Sequence, residues 1–230
     1  MRDRLATITL DSPGNRNALS RRLVEELREH LASVRDDDGV HVVTLTHTGP
    51  AFCAGADLKE RGAHVPLADV LATLWGMPKP VVARVGGHVR AGGVGLVAAC
   101  DIPVASRDAT FAFSEVRLGL VPAIISVVCL PRLRHADALE LYLTGEPFGA
   151  DRALAAGLVT AVADDVDAAV AEYVRRLRLG APRALAAAKR LVRGSVDFAE
   201  MEALSRALFA GADAREGIAA FFEKRPPSWA

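Results

Sequence analysis

The sequence predicts an α/β fold, and three observations carry that prediction. Alternating, β-branched runs dominate the first half of the 230-residue chain, and segments with helical spacing dominate the last third. Between them, residues 90–101 pass from small residues into an apolar run, which reads as a helix opening straight after a loop. Hydrophobic residues make up 51% of the chain, enough for a sizeable core in about one large domain. Lys+Arg and Asp+Glu both number 28, and the resulting zero net charge argues against nucleic acid or an acidic membrane surface as a partner.

Taken in order, Leu5–Leu10 alternates and reads as a strand. Asp11-Ser12-Pro13-Gly14-Asn15 is a turn cluster. Ser20 caps a helix whose apolar face is Leu23, Leu27, Leu31 and Val34, and Asp36-Asp37-Asp38-Gly39 ends it as a solvated turn. Residues 40–46 form a second strand. Residues 50–60 then run through a loop of small residues into a charged helical turn. A short helix over 67–74 stops before Pro78-Lys79-Pro80, and Val81–Val85 is the strand that feeds residues 90–101. Short strands follow at 102–105 and 110–113. Helices at His135–Thr144 and Ala150–Ala156 close on Gly145 and Gly157. A brief strand at 158–162 precedes four more helices, at 166–179, 182–192, 198–209 and 215–222.

Several residues could carry chemistry. The first N–H groups of the helix beginning near Gly92 have no internal partner and bear a partial positive charge. With glycines admitting close approach, such a terminus can hold a phosphate, a carboxylate or a developing oxyanion; the alternative is a close helix–strand crossing. Glu115, between Phe113 and Val116, is the carboxylate best placed for desolvation, which would raise its pKa and suit it to proton transfer. A salt bridge to Arg117 or a helix cap is the alternative. Cys53 has no local basic partner and reads as packing, and His64 as a solvated loop residue. The three cysteines, Cys53, Cys100 and Cys129, lack metal-ligand spacing. They fit reduced thiols and predict a cytoplasmic location, as does the absence of a signal-peptide core or a membrane span.

Three stretches, residues 51–60, 90–101 and 113–122, together resemble the crotonase superfamily, the enoyl-CoA hydratase/isomerase family. Asn15-Arg16-Asn17-Ala18-Leu19-Ser20, Leu143-Thr144-Gly145, Ala156-Gly157-Leu158-Val159 and residues 216–225 add to the resemblance, which covers nearly the whole chain. It implies a crotonase-like spiral of ββα units over 1–174, with a helical C-terminal trimerisation region over 175–230, assembled as a homotrimer or hexamer. It implies an acyl-CoA thioester, or an acyl-carrier-protein thioester, whose enolate is stabilised by the backbone N–H groups of Ala56 and Gly92. Coenzyme A would arrive as part of the substrate, with no separate cofactor. The resemblance places Ala18, Ala54, Asp57, Leu58 and Lys59 along the coenzyme A path, the Ala54 carbonyl meeting the adenine. Arg16 faces the phosphates, and Lys224 reaches the coenzyme A of an adjacent subunit.

Two departures qualify the pattern. Typical hydratases carry two glutamates beside the acyl C2–C3 bond; the second corresponds to Glu115 and the first to Gly95, which cannot act as acid or base. The local wording of residues 94–101 and 113–120 is similar to methylglutaconyl-CoA hydratases. The segment between Glu60 and Pro78, which usually walls the acyl pocket, is short. The expected activity is addition or removal of water across C2=C3, with Glu115 moving the proton at C2, positioning the water, or both. The missing base would be replaced by a substrate carboxylate, by ordered water, or by another side chain, with Arg117 and His88 nearby in sequence. An enoyl-CoA isomerase using one glutamate and a non-catalytic acyl-CoA-binding paralogue are the alternatives.

Overall fold

In the computed structural model, which describes residues 4–60, 66–194 and 197–230, the first strand, β1 (Leu5–Leu10), turns Ile8 and Leu10 inward. It pairs in parallel with β2 (Val42–His47), from Leu5 opposite Val42 to Leu10 opposite His47. A parallel pair needs a crossover, and α1 (Arg21–Asp36) supplies it. Ser20 caps that helix by accepting the Leu23 N–H at 3.3 Å, and Leu23, Val24, Leu27 and Leu31 fill its buried face.

The next segments repeat one pattern: a longer strand, a shorter strand and a helix. β2 is followed by β3 (Ala51–Cys53) and α2 (Leu67–Gly76). Then come β4 (Val81–Val85), β5 (His88–Arg90) and α3 (Gly92–Ala99). The third unit is β6 (Ile102–Ser106), β7 (Thr110–Ala112) and α4 (Ala123–Cys129), with a 3-10 turn at Ser114–Leu118 between strand and helix. Two helices, α5 (His135–Thr144) and α6 (Ala150–Ala156), flank β8 (Phe148–Gly149). Both helices end on glycines in the left-handed region, Gly145 and Gly157, as expected. β9 (Ala161–Ala163) and four helices complete the chain: α7 (Val166–Leu177), α8 (Pro182–Arg193), α9 (Phe198–Phe209) and α10 (Ala212–Glu223).

Two sheets result. The longer strands form a five-stranded parallel sheet in the order β1-β2-β4-β6-β9; the shorter ones form a second sheet, β3-β5-β7-β8, antiparallel only at β7–β8. Every residue of α3 is buried, so this helix is apolar all round and serves as the core element. α7 covers the outside of the first sheet, setting Val166, Val170 and Val174 against Val42, Val82 and Val104. A buried charge cluster joins the helical tail to this core. Asp101 takes Lys189 and Arg193, each at 2.8 Å, and Arg132 donates to the Ala98 carbonyl at 2.7 Å at the end of α3.

The expected α/β spiral is the observed architecture, with local differences. The charged stretch after β3 forms turns rather than a helical turn. Residues 123–129 are rich in β-branched side chains and carry no helical signature, yet they form α4 because Ile125, Val128 and Cys129 fill the space beside α3. The strand expected at 158–162 lies at Ala161–Ala163. His64 and the rest of residues 61–65 lie outside the described residues.

Candidate active site

The site is assembled where three parallel strands end. β3 and β7 both pair in parallel with β5, so all three leave the second sheet on the same side. β3 exits into Ala54-Gly55-Ala56, β5 into Ala91-Gly92, and β7 into Phe113-Ser114-Glu115. The Ala91 N–H donates to the Ala112 carbonyl at 3.0 Å, extending the β5–β7 register into the loops.

The first exit loop is fixed from below by Asn17. This buried side chain accepts the Ser12 N–H at 2.7 Å and donates to the Thr48 and Ala51 carbonyls at 3.0 and 2.8 Å. Both Arg16 and Asn17 stand in the left-handed region, with φ of 58° and 54°. So held, the 16–19 loop zips along the exit loop: Ala54 N–H donates to the Arg16 carbonyl at 3.1 Å, and Leu19 N–H to the Gly55 carbonyl at 2.7 Å. Asp57 accepts the Lys59 N–H at 3.0 Å and the Asn15 amide at 3.3 Å. Arg16, Ala18, Ala54, Asp57, Leu58 and Lys59 therefore gather on two adjoining loops. Arg16, Leu58 and Lys59 are exposed and Ala18 is buried. Lys224 caps α10, exposed, and no hydrogen bond or ion pair among the described residues links it to that group.

The two expected oxyanion donors are brought together by Gly55. At φ +89° it presses against the β5 exit: a Cβ added there would stand 3.0 Å from Ala91 Cβ and 3.2 Å from the Arg90 carbonyl. Ala56 and Gly92 follow these touching residues directly. Ala91 holds φ 46° and ψ −120°, a conformation that L side chains rarely take, and so turns the chain sharply into α3. As the first residue of α3, Gly92 has no intrahelical acceptor for its N–H. Among the described residues, neither it nor the Ala56 N–H donates to a turn, loop or cap carbonyl. A loop amide and a helix-terminal amide thus stand free as donors.

Glu115 sits in the 3-10 turn rather than at the end of the strand, and Gly119 closes that turn at φ 74°. Its Oε2 is buried without a hydrogen-bond partner. Burial raises its pKa above the ordinary glutamate value, which suits proton exchange. Around it lie Tyr142 and Cys129, both pushed upward chiefly by burial, the thiol to about 12, so both stay neutral. Arg117 does not pair with Glu115; it pairs with Glu146 and donates to the Thr144 carbonyl. His88 stands exposed at the opposite end of β5 from Gly92, with Nδ1 2.9 Å from Thr110 Oγ1. Neither residue joins the site.

Two further positions are filled by packing. The Cys53 thiol is buried and pushed up to about 12 by desolvation, and an added Cβ on Gly93 would lie 2.6 Å from Cys53 Cβ. It is a packing cysteine. At Gly95 an added Cβ would lie 2.4 Å from Ile125 Cγ2, so the position offers neither an acid nor room for one. The sequence reading missed Asn17 as a clamp and Ala91 as the sharp turn. An asparagine in a turn signals a left-handed residue, but its partners lie 31 and 34 residues away.

In sequence and in fold the chain is similar to known proteins. The family model described as Enoyl-CoA hydratase/isomerase matches residues 1–230. The chain is 34% identical over 240 residues to a Danio rerio protein named enoyl-CoA hydratase domain-containing protein 3, mitochondrial, covering 96% of this chain and 83% of that one. It is similar to the crystal structure of an enoyl-CoA hydratase from Mycobacterium smegmatis, with a TM-score of 0.92 and 33% identity over 100% of this chain and 96% of that one. An enoyl-CoA hydratase structure from Mycobacterium avium shows 44% identity and a TM-score of 0.78, covering 99% and 94% of the respective chains.

Proposed function

Since the chain belongs to the enoyl-CoA hydratase/isomerase family, we propose that it is a lyase adding or removing water across C2=C3 of an acyl-CoA thioester. The observation that carries this reading is the meeting, at one end of the second sheet, of two free amides and one half-buried carboxylate whose Oε2 is buried without a hydrogen-bond partner. In the proposed mechanism the thioester oxygen lies between the N–H groups of Ala56 and Gly92. Negative charge grows on that oxygen as the enolate forms. Preorganised amides stabilise it by about 3 kcal/mol each, because they need no reorientation at that moment. Glu115 exchanges the proton at C2 and orients the water, its raised pKa bringing its proton affinity nearer to working pH.

In this reading coenzyme A is part of the substrate. The Ala54 carbonyl meets the adenine, Ala18, Asp57, Leu58 and Lys59 line its path, and Arg16 faces its phosphates. Lys224 reaches the coenzyme A bound by a neighbouring copy in a homotrimer or a hexamer. Support for assembly comes from two exposed apolar faces: Val121, Ile124 and Val127 around α4, and Phe198, Phe209, Phe221 and Phe222 on α9 and α10. The reduced-thiol pattern supports a cytoplasmic site of action.

A second reading, enoyl-CoA isomerisation, is favoured by the packing at Gly95. Glu115 is then the single carboxylate, shuttling a proton between C2 and C4. Mass spectrometry with crotonyl-CoA and 3-methylglutaconyl-CoA in deuterated water separates the two. Gain of one water, lost in Glu115→Gln, supports the lyase. Deuterium uptake without water, with a moved double bond, supports the isomerase. Binding without either change identifies a non-catalytic acyl-CoA binder.

A further inference from the structure

Gly92 and Gly95 lie three residues apart on α3 and so share one face, one turn from each other. That face is covered by Leu19, whose Cδ1 would lie 2.7 Å from a Cβ on Gly92, and by side chains from two other helices. Leu67 and Leu71, one turn apart on α2, lie over Gly92 and Gly95 in turn: added Cβ atoms would come within 3.1 Å of Leu67 Cδ2 and 3.4 Å of Leu71 Cδ1. At Gly95 the closest atoms belong to Ile125 of α4, with Cγ2 at 2.4 Å and Cβ at 2.9 Å. Ile125 is 2% exposed, and α4 presses it into α3 along with Val128 and Cys129. A β-branched side chain on a helix keeps essentially one χ1 rotamer, so Ile125 has no easy way to swing clear.

We infer that Ile125 is a specificity-determining residue of the acyl site. It occupies the volume beside Gly95, one turn beyond the oxyanion amide of Gly92, and makes that wall dry, apolar and short. An acyl group seated with its carbonyl at Gly92 meets the Ile125 methyl groups as it extends along α3. The site therefore favours short acyl groups without a polar terminus on that side. The same side chain keeps the position free of a second carboxylate: any side chain at residue 95 needs Ile125 to be cut back first. This inference rests on the proposed acyl-CoA reading of the site.

The test is a pair of binding series, which read the pocket whether or not turnover is seen. Dissociation constants of coenzyme A, butyryl-CoA and octanoyl-CoA are measured by calorimetry for the wild type, Ile125→Val and Ile125→Ala, with melting temperatures of each. One methylene in an apolar pocket changes recognition by about 10-fold or more. The octanoyl-to-butyryl preference is therefore expected to shift towards octanoyl by at least about 10-fold in Ile125→Ala, and by less in Ile125→Val, while coenzyme A itself binds as before. Ile125→Val removes a single methyl and keeps the test valid if Ile125→Ala melts early. An unchanged preference in a folded variant that still binds both thioesters overturns the role of Ile125 and leaves the acyl-CoA reading standing. Failure of the wild type to bind any of the three, coenzyme A and both thioesters, overturns the acyl-CoA reading, and the inference with it.

Discussion

Replacing Gly92 separates the two things this residue does. It lacks a side chain where Leu19 and Leu67 close in, and it offers the first free N–H of α3. Gly92→Ala keeps the N–H and adds a Cβ that would meet Leu19 Cδ1 at 2.7 Å. Gly92→Pro adds a Cβ in the same place and removes the N–H. Proline suits the first turn of a helix, so α3 itself tolerates it. The difference between the two variants therefore reads the loss of the amide together with the ring Cδ that takes its place. Loss of one oxyanion donor costs about 2.7–4 kcal/mol in the transition state, or about 10²–10³ in kcat. Gly92→Ala, which asks only the ends of two leucine side chains to yield, is expected to keep most of its turnover. Gly92→Pro is expected to fall about 10²–10³ below Gly92→Ala. Proline also disfavours the φ of 46° at Ala91, so a melting curve accompanies each assay. If folded Gly92→Pro turns over within about 10-fold of Gly92→Ala, the amide of Gly92 holds no developing charge.

Glu115→Gln is expected to lower kcat by at least about 100-fold, and the acid limb of the wild-type pH–rate profile should lie above the ordinary glutamate value of 4.5 and vanish in the variant. Stopped assays across pH check both, and near-wild-type turnover would move the chemistry to another residue. Asn17→Ala strands the Ser12 N–H and the Thr48 and Ala51 carbonyls, and the fully buried Ala51 carbonyl alone, left unpaired, costs about 1–3 kcal/mol. Urea unfolding should show the loss, and KM for acyl-CoA should rise more than kcat falls. His47 is held neutral, accepting the Gly86 N–H at 3.0 Å, and burial lowers its pKa below 6.5. The unfolded chain binds this proton more readily than the native one, so stability is full above about pH 6.5 and falls as the solution is acidified. A melting temperature that does not fall between about pH 7 and pH 5, or falls equally in His47→Gln, would refute that role.

Local chemistry made much of the molecule legible before its structure. Ser20 before a Leu23, Leu27, Leu31 face, and Gly145 and Gly157 after helical runs, determine helix limits through bonds and torsions a few residues long. Small residues around Ala56 and Gly92 marked the places where a ligand can approach the backbone, and Glu115 stood out as a carboxylate in an apolar run. Long-range packing decided the rest. α4 forms from β-branched residues because α3 needs a cover, so tertiary contacts override local preference there. Arg117 turned to Glu146 and His88 to Thr110, choices made by neighbours distant in sequence. Glycine at position 95 showed only that a carboxylate was missing. That Ile125, 30 residues later, fills its space is a matter of how two helices cross, and no local pattern encodes that distance. The sequence by itself determined which groups could react. The parallel pairing of β3, β5 and β7 decided which of them stand together, because only the register of a sheet brings three separate loops to one edge.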